Sequence, residues 1–432
     1  MQGFGDIRKV KELWKRVLYT AMMLVVYRLG VQIPISGVDG AALASYFEAQ
    51  RGTLFGMLNM FSGGALGQFS IFALGIMPYI TSSIILQLAT VVVPTVERWS
   101  KEGEVGRRRI NQMTRYGTII LCLVQGAFLS LQLKNIPSPL GVPIVTDTHW
   151  SFAPVSAISM TAGTAFIMWL GEQITERGIG NGISLIIFAG IIARIPVGIA
   201  QTYTLMVNEE LNLLAMLIAG VVMVGFIAAI IFMERSHRRI PVQYAKRVVG
   251  RRTYGGQTTY LPLRLNTSGV IPPIFASALL TLPYTFRSWG VMEKASQYLL
   301  PSSFFYNLLY VALIIVFAYF YTAVVFPPKD VADNLKRNGG FVPGKRPGKA
   351  TADYIEFVLA RITFVGALYL SAICVLPVVL VAFANVPFHF GGTGLLIVVG
   401  VVLDTLGQAE SYLITRNYEG FMGGLRIRGR HG

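Results

Sequence analysis

Charge is what this chain has least of. Only 13% of its 432 residues are Asp, Glu, Lys or Arg, against roughly a quarter in an ordinary soluble domain. Mean hydropathy is +0.58, and a water-soluble globular fold is excluded. Cysteine is nearly absent. Cys122 and Cys374 both sit inside apolar runs, which excludes a disulfide framework. The four histidines (His149, His237, His389 and His431) fall in loops or tails, away from any Cys or carboxylate at ligand spacing, so neither a zinc site nor a catalytic triad is legible. The chain has no GxxxxGK[ST] run and therefore no nucleotide motor of its own. Gly178-Ile-Gly-Asn-Gly182 follows an apolar span rather than a strand and reads as a tight turn. No enzyme and no cofactor is expected.

What is present is length in the apolar runs. Ten spans fit, near 17–35, 71–93, 116–136, 153–172, 183–203, 212–233, 269–288, 304–326, 362–384 and 393–413. Each can cross a hydrocarbon core of about 30 Å at about 1.5 Å per residue. The fifth, with Pro196, and the seventh, with Pro272, Pro273 and Pro283, are the least regular. The N-terminal segment (Asp6, Arg8, Lys9, Lys11, Glu12, Lys15, Arg16) is charged and amphipathic and leads into a full-length span. That span is expected to remain in the mature chain rather than act as a cleaved signal.

An even number of spans places both termini on one side, and basic residues say which. On the terminal side lie five Lys or Arg in the N-terminal segment, six in 94–115, one in 173–182, eight in 234–268, seven in 327–361 and four after 413, together 31 of the 37. So strong a bias makes that side cytoplasmic.

Polar groups within the spans are few. Arg28 lies near the outer end of the first span and is expected to snorkel to the interface. Asp404 is the one acidic residue well inside a span, with Glu172 at a cytoplasmic end. An intramembrane carboxylate raises the possibility of ion coupling, but such a site needs several convergent polar groups, and a structural role for Asp404 is favoured. The second span carries Gly75, Pro78, Thr81, Ser82, Ser83 and Gln87, a composition suited to facing other helices or water rather than lipid alone. Before it, residues 53–70 are moderately apolar and cluster Gly63, Gly64 and Gly67. They are too short to cross, and either re-enter a cavity or lie on the outer surface.

Two long basic segments, 234–268 and 327–361, interrupt the spans on the cytoplasmic side. In the first, Arg238 to Arg252 alternates basic with apolar and aromatic residues, which suits an extended, paired ribbon. Anionic lipid is one partner for such charge, at about 1 kcal/mol per residue. Ribosomal RNA or an acidic protein surface is another.

Long motifs then point to a family. Ser70-Ile-Phe-Ala-Leu-Gly-Ile-Met-Pro-Tyr-Ile80, Trp169-Leu-Gly-Glu-Gln-Ile-Thr-Glu-Arg-Gly-Ile-Gly-Asn-Gly-Ile-Ser184, Gly250-Arg-Arg-Thr-Tyr254, Gly269-Val-Ile-Pro272 and Gly340-Phe-Val-Pro-Gly-Lys-Arg-Pro-Gly348 closely resemble the bacterial SecY family, channel subunits of the Sec protein translocase. Lys345 stands where an apolar residue is expected. The resemblance implies an all-α polytopic protein of ten transmembrane helices. Two five-helix halves, 1–204 and 205–432, would be related by inverted pseudo-symmetry and form a clamshell around a central pore. It implies a pore ring of Ile76, Ile80, Ile187, Ile274 and Ile397, and a plug of Phe61, Ser62, Gly63, Gly64, Ala65, Leu66, Gly67, Gln68 and Phe69, which favours re-entry for that segment. It implies a lateral gate with polar positions Thr81, Gln125 and Asn266. Arg239, Arg251, Arg252 and Arg346 match positions that meet the ATPase SecA or the ribosome.

The implied partners are the subunits SecE and SecG, SecA, the ribosome, signal sequences and unfolded preproteins, with anionic lipids around them. The implied location is the bacterial cytoplasmic membrane, and the implied function is passive, gated conduction of polypeptide. A secondary transporter would need a midplane site that a single Asp404 does not supply. A lipid-binding scaffold would leave the polar second span without a reason.

Overall fold

The computed structural model describes residues 11–49, 56, 59, 62–135, 143–146, 149–207, 213–244, 247–249, 252–254, 258–285, 303–384 and 392–423. The chain is mostly helical and divides into two units. One comprises 1–200 and 401–432 with the short piece 284–293. The other comprises 201–283 and 294–400.

In the first unit, α1 (Lys11–Val31) precedes α2 (Gly40–Ala49). Residues 62–76 form a run of turns, and α3 (Met77–Val92) begins only where that run ends. Pro78 therefore lies in the first turn of α3, where its missing N–H is harmless. The helix thus starts six residues later than the expected span 71–93. At Val93 and Pro94 the chain bends by 98° into α4 (Pro94–Lys101). There Pro94 forces Val93 into an extended conformation (ψ 112°), as the residue before proline prefers.

Helix α5 (Glu104–Asn135) packs between α3 and α6 (Phe152–Arg177). Ser82 Oγ on α3 donates to the Thr114 carbonyl of α5 at 2.9 Å. On the charged end of the same bundle, Arg115 holds Glu172 by two bonds of 2.9 and 2.8 Å. Helix α7 (Gly182–Ile192) starts at Asn181, whose side chain accepts from the Ile183 and Ser184 amides, so 178–182 is a capped turn. Pro196 sits in the first turn of α8 (Ile195–Val207), after a break at Ala193 and Arg194.

In the second unit, α9 (Leu213–Arg235) leads into a ribbon. Strands β1 (His237–Tyr244) and β4 (Thr258–Arg264) pair antiparallel, with β2 (Arg247–Val249) and β3 (Arg252–Tyr254) pairing beyond them. Helix α10 (Ile271–Thr285) has Pro272 and Pro273 in its first turn, so these prolines start the helix instead of breaking it. Next come α11 (Phe304–Val325), α12 (Pro328–Arg337), β5 (Gly340–Phe341) and α13 (Lys349–Ala384). Strand β5 adds to the ribbon through Gln243 with Phe341 and Tyr244 with Gly340, so the two basic segments share one sheet of order β4-β1-β5. Ile240 and Leu263 of the ribbon pack with Val342 and with Ile362 of α13. The last helix, α14 (Gly392–Gly423), contributes to the second unit up to Gly400 and to the first from Val401.

Among the described residues six helices are long and apolar enough to cross a membrane, and the bent pair α3–α4 makes a seventh. The expected spans 17–35, 212–233 and 269–288 fall on α1, α9 and α10. One expectation about the basic segments is corrected: 349–361, read as part of the long basic loop 327–361, forms the first turns of α13. Likewise 104–115 belongs to α5, which begins before the apolar stretch.

Candidate pore, plug and cytoplasmic docking face

The turn segment 62–76 is irregular backbone enclosed by helices. Ser62, Ala65, Leu66 and Phe69 are each at most 4% exposed, whereas Gln68 points outward. Buried main chain must find partners, and here they are local and specific. Asn59 accepts the Gly64 amide on its carbonyl at 2.8 Å and the Gly67 amide on its side-chain oxygen at 2.8 Å. Ser62 Oγ donates to the Asn59 carbonyl at 3.2 Å and accepts from the Leu66 amide at 3.2 Å. Ile35 and Ile71 amides bond the Phe69 and Ile33 carbonyls, stitching the segment to the chain leaving α1. The Phe69 ring stacks on Phe152 with centroids 6.1 Å apart. Gly63 and Gly64 have φ of +67° and +93°, a region glycine enters without strain.

Gly63 is buried as well, and Gly64 and Gly67 are half-buried. Of the expected plug residues, Phe61 lies outside the described residues. Gly163 of α6 faces the Ile71 carbonyl and the Phe72 ring so closely that any Cβ there would overlap the carbonyl oxygen.

Two residues that hold this segment escaped the sequence reading. Tyr27 Oη, 1% exposed, donates to the Ser62 carbonyl at 3.2 Å. Arg28 Nη1 donates to the Gly63 carbonyl at 2.9 Å. Arg28 was expected to snorkel to the interface; it turns inward instead. Glycines flanked by an apolar, turn-rich run were the available signal for the segment, but nothing in the sequence pairs them with α1.

The five isoleucines expected in a pore ring are all buried. In the first unit Ile76, Ile80 and Ile187 are 3%, 7% and 4% exposed, and in the second Ile274 and Ile397 are 9% and 1%. The three polar residues expected at a lateral gate are buried too. Thr81 (6%) donates to Met77 O of its own helix at 3.0 Å, and Gln125 (7%) lies on the neighbouring α5. In the second unit Asn266 (4%) donates to Glu234 at 2.6 Å and to the Gly269 carbonyl at 3.1 Å, and accepts from Ser268. Glu234 was not foreseen as its partner. Asp404 is exposed on α14.

On the ribbon, His237, Arg238 and Arg239 are exposed while Ile240 and Val242 point into the core, the period-two alternation of a half-buried strand. Arg346 is exposed, and its carbonyl accepts from Thr351. Arg252 lies in β3, and Arg251 falls outside the described residues. Lys345, the departure from the family pattern, sits over the Tyr354 ring at 5.5 Å, a cation–π contact open to a basic residue.

The SecY family model matches residues 70–406. This chain belongs to the SecY family. It is 48% identical over 425 residues to the protein translocase subunit SecY of Escherichia coli strain K12, covering 97% of this chain and 96% of that one. Among solved structures it resembles a protein-conducting channel with a TM-score of 0.66 at 19% identity, over 94% of both chains. It also resembles a SecY protein whose plug domain stabilises the closed state and maintains a membrane seal, with a TM-score of 0.65 at 18% identity, over 94% of both chains. At those identities the likeness is one of fold. The chain is thus a membrane translocase subunit of helical, SecY-type channel fold with several apolar spans.

Proposed function

We propose that the protein is a passive, gated channel for unfolded secretory polypeptides in the bacterial cytoplasmic membrane, with both termini in the cytoplasm and no catalysis of its own. The observation that carries the reading is the enclosed turn segment 62–76. Irregular backbone at membrane depth survives only where protein buries it or it lines a water-filled path, and this one is buried by its own unit. As a plug, it seals the pore when idle and leaves when a chain enters.

Ten helices in two halves, 1–204 and 205–432, would supply the walls. Ile76, Ile80, Ile187, Ile274 and Ile397 would form the constriction. Branched aliphatic side chains resist wetting and ions and offer no hydrogen bonds to hold a passing polypeptide. Thr81, Gln125 and Asn266 would line a lateral gate through which a hydrophobic signal sequence leaves for lipid. Interhelical polar bonds in membranes average only about 0.6 kcal/mol, so insertion of an apolar segment can part them.

Energy comes from outside, from SecA or a translating ribosome docked on the ribbon through Arg239, Arg251, Arg252 and Arg346. Exposed basic residues alternating with buried apolar ones give that surface a rigid root and a charged outer face. SecE would brace the two halves, SecG would sit beside them, and anionic lipid would take up the remaining basic charge.

The test is precursor uptake into vesicles holding the protein with SecE, SecG and SecA. The reading expects uptake that requires SecA and ATP, and an ion leak that rises when residues 61–69 are deleted. Absence of uptake, with small solutes carried instead, would establish a transporter in its place.

A further inference from the structure

Tyr27 and Arg28 are consecutive on α1, and Ser62 and Gly63, whose carbonyls they bind, are consecutive in the turn segment. Two neighbouring donors thus meet two neighbouring main-chain acceptors. Gly63 and Gly64 hold left-handed backbone here (φ +67° and +93°), and the Ser62 carbonyl serves both sides, since it also accepts from the Ala65 amide at 3.3 Å. The approach is close. A Cβ on Gly63 would lie 2.8 Å from the Gly190 Cα of α7 and 3.0 Å from Tyr27 Oη, and one on Gly190 would lie 3.1 Å from the Gly63 Cα. Behind the contact, Tyr27 stacks on Phe72 with centroids 6.0 Å apart, which fixes the ring that presents the hydroxyl.

We propose that Tyr27 and Arg28 are the latch that holds the plug shut: two side-chain bonds from the first membrane helix to the carbonyls of Ser62 and Gly63, seated through the Gly63–Gly190 backbone contact. The inference rests on the plug reading above and adds the residues that set how readily the plug leaves. The latch suits a seal that must open. Its acceptors are neutral carbonyls, so releasing them strands no buried anion, and each bond is individually weak. The charged donor Arg28 makes the stronger of the two. Water or the incoming chain can replace both partners once the segment has moved. Tyr27 and Arg28 act as positioning residues and make no contact with the transported chain in the closed state.

The experiment measures resting ion leak in vesicles holding the full protein with SecE and SecG, for the parent, Tyr27→Phe, Arg28→Met, Arg28→Lys and a variant lacking 61–69. It then repeats Tyr27→Phe and Arg28→Met in the deletion background. Tyr27→Phe keeps the stacked ring and removes only the hydroxyl, so it tests the latch without disturbing the fold. The expected result is a leak about threefold higher for Tyr27→Phe and about tenfold higher for Arg28→Met, as befits a neutral and a charged hydrogen bond. Arg28→Lys should restore most of the seal. In the deletion background neither substitution should add anything, a silence that general destabilisation would not produce. If the deletion raises leak while both substitutions leave it at the parent value, the plug stands and the latch is wrong. If the deletion itself leaves leak unchanged, the plug reading fails and takes the latch with it.

Discussion

Asn266 donates its side-chain amide to the Glu234 carboxylate at 2.6 Å, and the same Nδ2 reaches the Gly269 carbonyl at 3.1 Å. Residue 266 therefore ties the end of α9 to the turn before α10. This polar group, proposed for a lateral gate, is held by partners within its own unit. Replacing it with alanine removes a donor to a charged acceptor, and the expected loss is about 1 kcal/mol, low for such a bond because Glu234 is only half-buried. Asn266→Asp should cost more, and the excess should depend on pH. Two facing carboxylates share a proton more readily when folded, so the folded pair has the raised pKa. Its stability is then fullest at low pH and falls as pH rises. Thermal unfolding in detergent at pH 5 and pH 8 checks this: a greater loss at pH 8 is expected for Asn266→Asp, and none of that difference for Asn266→Ala.

Gly163→Ala should be among the most damaging small substitutions in the first unit. The added methyl overlaps the Ile71 carbonyl oxygen, which is backbone and cannot rotate away, so a loss of at least ~2 kcal/mol or failure to accumulate is expected. Gly407→Ala on α14 is the control. It meets nothing within 4 Å and should be neutral or stabilising by up to ~1 kcal/mol. Membrane yield and the unfolding midpoint of the pair separate steric cost from any general intolerance of alanine at glycine positions.

The ribbon should show the salt signature of phosphate binding. Arg239→Ala and Arg346→Ala, both at exposed positions, should weaken ribosome binding. Each should also lower the slope of log affinity against log salt by about 0.7–0.9 for every phosphate the arginine had neutralised. A titration at several salt concentrations distinguishes this from poorer shape complementarity, which would lower affinity with the slope unchanged.

The ribbon was legible because alternation of Arg238–Arg239 with Ile240 and Val242 is a property of neighbours in sequence. That the second basic segment joins it was not, since pairing of Gln243 with Phe341 depends on a loop closing over nearly a hundred residues, about which period-two alternation says nothing. Hydropathy placed the ends of α5 and α13 but began both helices too late. Residues 104–115 and 349–361 are charged yet helical, and hydropathy reports the lipid boundary rather than the first hydrogen-bonded turn. Pro272 and Pro273 made the seventh span look irregular because proline was weighed without its position; in a first turn it is benign. Arg28 misled for a different reason. A basic residue near a helix end has water on one side and protein on the other, and only the fold shows that the Gly63 carbonyl lies on the inward side.

Disulfide trapping of a transport intermediate shows whether a polypeptide passes between Ile76, Ile187, Ile274 and Ile397. Cys122 and Cys374, both buried, would first be replaced by serine or alanine. Single cysteines would then be placed at Ile76, Ile187, Ile274 and Ile397, and at the exposed Val224 of α9 as control. A SecA-driven precursor carrying one cysteine, stalled by a folded domain at its C-terminus, should cross-link to each of the four ring positions and not to Val224. A stalled precursor that protects itself from protease inside the vesicle, yet links to none of the four, would contradict the account.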